Sequence, residues 1–330
     1  MYKFKPILKT LVWGTESWVL SGVPGSESVV AEGPEAGRKI TELYPGTFPL
    51  LIKFIDAKRD LSIQVHPDNE LAAKRHGCSG KTEMWYVIGA EPGAKLISGL
   101  KEAITPDDYV RLVEEDRITE VLAEHAVAPG DVFFLPSGRI HAIGGGCFLA
   151  EIQQTSDITY RIYDYNRPGL DGKPRQLHTQ EAKDAIDYHV YPEYRMLYEP
   201  KKDAPVELAR CQYFTTTLYD LSPAADGVFQ TGGPECPVSP DIRCPGGVPP
   251  GPPASLCSGQ VCRKTNSGSA FPSAASDFLI AIGLAGSGTL RTAQDETTIS
   301  LGEAVLIPAS DGPVSFEPGP DGLRLMTTHP

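Results

Sequence analysis

The stretch "GDVFFLPSGRIHAI", residues 130–143, carries a spacing that an ordinary strand does not need. Asp131 to Pro136 reads as a short strand, rich in apolar and aromatic residues and bounded by Gly130 and Pro136. Then comes a fixed cadence: Gly130, five residues, Pro136, one residue, Gly138, two residues, His141. Upstream, "LSIQVHP" (61–67) places Gln64 and His66 two apart in a strand-like run that stops at Pro67. Residues i and i+2 of a strand share a face, so the two side chains project together and proline ends the ladder just after them. Two readings are open for this pair: satisfied polar groups at a strand end, or half of a metal site. A metal site needs partners, and "GKTEMWYVIG" (80–89) offers Glu83 while the first stretch offers His141.

The 330 residues, 41% of them hydrophobic, suffice for two ordinary domains. Net charge is −12 and the pI about 5.1. That balance argues against nucleic acid or an anionic membrane as partner. An anionic ligand would have to be met by a local cluster of Lys and Arg. The first residues, "MYKFKPILKTLVWG", hold no long apolar region, so no signal peptide is expected, and no run of 18 apolar residues spans a membrane. Seven cysteines without a CxxC pair indicate reduced thiols and a cytoplasmic setting.

Strands are predicted at 49–57, 61–66, 83–90, 94–100, 131–136, 147–154, 158–165, 210–221, 277–292, 297–301, 304–309 and 323–328. Helices interrupt them. "DNELAAKRHG" has Asp68 or Asn69 as cap and Gly77 as stop. Residues 105–125 change to a helical period behind Thr105–Pro106, and "TQEAKDAIDYH" (179–189) reads as another helix. Short strands with helices only as insertions indicate sandwiches or barrels. Residues 231–262 break the pattern, with eight Pro and six Gly in 32 positions. Disorder or irregular coil is expected there, and across about 222–275. The four cysteines of this run match no zinc spacing.

The Gly-x5-Pro-x-Gly-x2-His cadence resembles the second signature motif of the cupin jelly rolls. Taken with "WGTESWVLSG", "LSIQVHP", "GKTEMWYVI" and "SDITYRIYDYNR", in that order, it resembles the type I mannose-6-phosphate isomerases, or phosphomannose isomerases, in their shorter bacterial form. The likeness runs from residue 1 to about 221 and returns from about 276. It implies a mostly β fold of two cupin-type β-jelly-roll barrels with short helical insertions. A catalytic cupin domain would cover 1–195, with its helical insertion at about 105–125. A second, metal-free cupin-like domain would cover 196–330. A parallel within the sequence agrees: "GEAVLIPASDG" (302–312) matches "GDVFFLPSGRIH" (130–141) with Gly302 and Pro308 in register, but without the histidine.

The resemblance also implies a zinc ion, one per chain, held by Gln64, His66, Glu83 and His141. The reaction implied is interconversion of D-mannose 6-phosphate and D-fructose 6-phosphate through a metal-stabilised enediol. Lys53, Ser62, Lys81 and Arg161 match family positions near the substrate. Arg161, Lys81 and Glu151 are the catalytic candidates, Glu151 as base or proton relay. The partner expected is a small sugar phosphate, and the chain is expected as a monomer or weak homodimer. Among rival readings, a non-haem iron oxygenase would use His66, Glu83 and His141 alone, with no call for Gln64 or the phosphate-binding cations. A sugar-storage cupin would show decayed ligands in both halves. Trp13 and Trp18 are read as core residues, and His76, His125, His178, His189 and His329 as surface or packing groups.

Overall fold

The computed structural model describes residues 1–223, 229–230 and 278–330; the Pro- and Gly-rich run at 231–262 lies outside them, as does most of 222–275. The chain is mostly β. The described strands form three sheets. The seven-stranded sheet runs in the order Arg195–Met196, Val132–Leu135, Glu83–Ala90, Cys147–Gln154, Leu50–Ala57, Gly14–Ser21, Ile7–Leu11. The five-stranded sheet runs Tyr160–Tyr163, Ile63–Val65, His141–Ile143, Lys95–Leu100, Leu122–Ala126. The eight-stranded sheet is built mainly from Phe278–Arg291, Ala304–Pro308, Ser315–His329, Thr215–Leu221 and Val206–Arg210, with Tyr2–Lys3 paired at its edge.

The seven-stranded sheet is covered on both faces. One face packs Leu20, Ile52, Met84, Phe134 and Ile152 against Leu208, Leu218, Ile280, Leu306 and Met326 of the eight-stranded sheet. The other packs Ile55, Trp85, Phe133 and Leu149 against Leu96 and Ile143 of the five-stranded sheet. A strand buried on both faces cannot afford polar alternation, which is why "LLIKFIDA" and "EMWYVIGA" read as nearly continuous apolar runs. The outer face of the five-stranded sheet, with Ile63, Val65, Ala142 and Ile162, is closed by Tyr109, Leu112 and Val113 of one helix and Ala182 of another.

Two helices start where the caps predict, while the one expected over 179–189 spans Thr179–Ala185 without a side-chain cap. Pro106–Glu114 opens on a full capping box between Thr105 and Asp108, and Asn69–His76 opens on Asp68 and ends at Gly77 in the left-handed region, φ 67°. The second half of 105–125 forms a 3₁₀ turn at Ile118–Val121. One expected strand divides. "RCQYFTTTLYDL" breaks at Cys211–Phe214, where the Cys211 amide donates to the Phe214 carbonyl and turns the chain.

Candidate metal centre

The site lies between the five- and seven-stranded sheets. Register brings its parts together. Arg161 stands opposite Gln64, Gln64 opposite His141, and His141 opposite Ser98. Residues directly opposed in antiparallel strands share a face, so these form one row across the five-stranded sheet. On the seven-stranded sheet the row is Trp18, Lys53, Glu151, Trp85. Glu83, two before Trp85 on the same strand, shares that face.

The spacing around His141 has a backbone reason. Gly130 and Gly138 sit at φ 96° and 89°, in the left-handed region that favours glycine. A Cβ on Gly138 would come 3.0 Å from the Ala185 carbonyl oxygen. Gly302 in the second half has φ 86°, matching Gly130, and that register puts Pro313 where the first half has His141.

His66, Glu83 and His141 are buried, and their candidate ligand atoms lie within 4.8 Å of one another. His66 Nδ1 is 2.8 Å from the Ile158 carbonyl oxygen and His141 Nδ1 is 2.8 Å from that of Arg139. A carbonyl only accepts, so both Nδ1 atoms carry the proton and both Nε2 lone pairs face the centre. His141 Nε2 is 3.3 Å from Glu83 Oε1, and His66 Nε2 is 3.7 Å from Glu83 Oε2. Gln64 Nε2 lies 3.3 Å from His141 Nε2; turning the amide over presents its oxygen at the same place.

Burial, then the neighbouring Lys81 ammonium, pushes both imidazoles down, His141 to about 3, so they are neutral at physiological pH. Burial and then the Glu151 charge push the Glu83 carboxyl up. Its Oε1 is buried without a hydrogen-bond donor. Two inward imidazole lone pairs, an under-satisfied carboxylate oxygen and an amide are the donor set of a divalent ion of intermediate softness, and the residues fit one. The carbonyls holding both Nδ1 protons are the orienting partners that metal-bound histidines require.

Lys81 lies two residues before Glu83. The strand begins only at Glu83, and Lys81 reaches in from the preceding loop. Its ammonium donates to Glu83, lies 3.1 Å from His66 Nε2 and 3.7 Å from Glu151 Oε1. Glu151 Oε1 accepts from Lys53 at 2.9 Å, and Oε2 accepts from the Trp85 indole at 2.9 Å. Burial alone would raise the Glu151 carboxyl, but Lys53 and then Lys81 hold it well below the usual carboxylate range. Arg161 is half-buried; it donates to the Gln176 carbonyl at 2.9 Å, and its Nε is buried without a partner.

A cavity of about 380 Å³ opens onto this cluster. Lys53, Ser62, Gln64, Lys81, His141, Glu151 and Arg161 all line it; His66 and Glu83 lie behind. Trp13 and Trp18 are buried as expected but also form its wall. Lys9, Glu16, Asp157 and Arg175 line it too and were not foreseen. His178 accepts from the Arg161 amide at 3.1 Å, so it braces that strand rather than packing at random.

A profile for "Phosphomannose isomerase type I, catalytic domain" matches residues 15–86. Mannose-6-phosphate isomerase ManA of Bacillus subtilis (strain 168) is 34% identical over 252 residues, covering 67% of this chain and 80% of that protein. The chain belongs to the type I phosphomannose isomerases. The mannose-6-phosphate isomerase of Streptococcus mutans is 40% identical over 182 residues, 52% of this chain and 57% of that protein. The crystal structure of the mannose 6-phosphate isomerase from Bacillus subtilis superposes with TM-score 0.77 at 25% identity, over 100% of this chain and 99% of that one. This phosphomannose isomerase relative spans the eight-stranded sheet as well as the site.

Proposed function

We propose that this chain interconverts D-mannose 6-phosphate and D-fructose 6-phosphate, with one zinc ion held by Gln64, His66, Glu83 and His141. The observation that carries the reading is the meeting of two rows of side chains: ligands with Arg161 on one sheet, and Lys53, Glu151 and Trp85 on the other. When bound, such an ion would supply Lewis-acid polarisation of the sugar's carbonyl. The chain's own residues supply the rest. Arg161, beside Gln64 and free of a carboxylate partner within ion-pair distance among the described residues, stabilises negative charge on the enediolate. Glu151 has both oxygens engaged and a depressed carboxyl, which makes it a poor proton acceptor. We therefore assign to Lys81, whose ammonium touches both carboxylates and opens onto the cavity, the delivery and recovery of a proton at the oxygens of the sugar's reacting carbons, with Glu151 helping to hold it in place. Lys53 and Ser62 complete the wall against the sugar.

The same reading divides the chain near residue 195 into a catalytic cupin domain and a second cupin-like domain without ligands, and places the enzyme in the cytoplasm as a monomer or weak homodimer. No helix among the described residues is long and apolar enough to cross a membrane. The test is a coupled assay for fructose 6-phosphate formed from mannose 6-phosphate, with and without chelator. Turnover that chelation abolishes is expected; absence of turnover in the metal-replete chain would overturn the proposal.

A further inference from the structure

The cavity is lined by five cations, Lys9, Lys53, Lys81, Arg161 and Arg175, against three carboxylates, Glu16, Glu151 and Asp157, in a chain of net charge −12. Most of those cations are already engaged. Lys53 pairs with Glu151, Lys81 with Glu83, and Arg175 with Asp164 at 2.5 Å. Arg161 sits beside the ligand row. Lys9 is different. It is half-buried on the edge strand Ile7–Leu11, and no carboxylate lies within ion-pair distance of it among the described residues. Its ammonium stands 3.2 Å from the centroid of the Trp18 ring. That ring is itself fixed, because its indole donates to Glu16 Oε2 at 2.6 Å. An indole face holds a cation without using its N–H donors, so the ammonium is presented to the cavity with donors to spare. Burial pulls it below the ordinary lysine range despite Asp157 and Glu16 nearby, a cost that an incoming dianion would reverse.

The order of strands sets where Lys9 lies along a substrate. From the ligands outward the row passes Glu151, then Lys53, then Trp18, with Lys53 5.1 Å from the ring centroid that Lys9 covers from the next strand. A hexose 6-phosphate with C1 and C2 at the ligands carries its phosphate at the far end of the sugar, and this outer end of the row, with Lys9 on it, opens onto the same cavity.

We propose that Lys9, held on the Trp18 ring, is the cation that recognises the phosphate of the sugar phosphate. It is a specificity-determining residue for the reaction proposed above and rests on that reading. The test uses full-length zinc-loaded protein and the variants Lys9→Met and Lys9→Arg. Steady-state kinetics are measured with mannose 6-phosphate, and inorganic phosphate is titrated as a competitive inhibitor and by calorimetry. Removing one charged hydrogen-bond donor is expected to raise both KM and the phosphate Ki roughly tenfold to hundredfold in Lys9→Met, with a much smaller change in kcat. Lys9→Arg should recover most of the loss, and zinc content should match wild type. Unchanged KM and unchanged phosphate affinity in Lys9→Met would overturn the assignment. A wild-type chain that binds phosphate but does not turn over mannose 6-phosphate would sink the functional reading alone. The calorimetric comparison would then still decide on Lys9, weaker phosphate binding in Lys9→Met upholding it and equal binding rejecting it.

Discussion

Lys53→Met isolates what holds Glu151 ionised between two sheets. Lys53 Nζ donates to Glu151 Oε1 at 2.9 Å, and both side chains are under a tenth exposed. The next cation, Lys81, is 3.7 Å from the same oxygen and is engaged with Glu83. Methionine fills the lysine's apolar volume but leaves a buried carboxylate short of its main counter-charge. Breaking a buried pair by removing one partner costs ~3–5 kcal/mol. The pH dependence carries the sharper signature. In the wild type the folded Glu151 carboxyl lies below its ordinary value of 4.5, so its stabilising contribution is complete above that value and is lost as pH falls below it. Without Lys53, burial dominates and the folded value rises above 4.5. Stability should then be best in mild acid and decline as pH rises through the new value. Urea unfolding from pH 4 to 9 of wild type, Lys53→Met, Glu151→Gln and the double variant measures this. The double variant should recover most of the loss, because it removes the stranded charge. A Lys53→Met profile parallel to wild type, or a loss under about 1 kcal/mol, would refute the claim that this pair sets the charge state of Glu151.

Other outcomes follow from the same geometry. His141→Ala should abolish turnover and most bound zinc while circular dichroism and cooperative melting persist, since the flanking cores of Trp85, Leu96 and Phe133 remain. Arg161→Ala should lower kcat far more than it raises KM, because a cation facing the enediolate acts mainly in the transition state; a change confined to KM would make it a phosphate anchor instead. Thr105→Ala should cost ~1 kcal/mol by removing the cap of the Pro106–Glu114 helix, read by chemical denaturation. In the intact box the Thr105 hydroxyl, then Arg111, holds Asp108 at about 2 against an ordinary 3.8. That contribution is present above 3.8 and lost as pH falls through 2, which carboxyl NMR titration checks.

Local chemistry made much of the site legible. Gln64 and His66 announce themselves by period-two spacing and the stop at Pro67, and the glycines before His141 mark left-handed turns. The central strands of the doubly buried sheet read as strands, and their continuous apolar runs carry the sign of burial on both faces. Contacts made by register were not. That Arg161 stands opposite Gln64, or Lys53 opposite Glu151, depends on pairing between segments about a hundred residues apart, which no local pattern encodes. Lys9 sits in "ILKTL", an edge strand whose alternation looks ordinary until the hairpin folds its ammonium over Trp18. Arg175 follows a Gly-rich turn and carries no periodic signal at all. Lys81 carries no strand signal of its own, since it enters from the loop before Glu83.

We propose that the cluster of Gln64, His66, Glu83 and His141 holds the single metal on which isomerisation depends. Its most direct test is to strip the purified chain with chelator and titrate zinc back while following conversion of mannose 6-phosphate. Activity should start near zero, climb in proportion to added zinc and level off at one equivalent per chain. Full turnover by the metal-free chain, or a plateau indifferent to zinc, would contradict it.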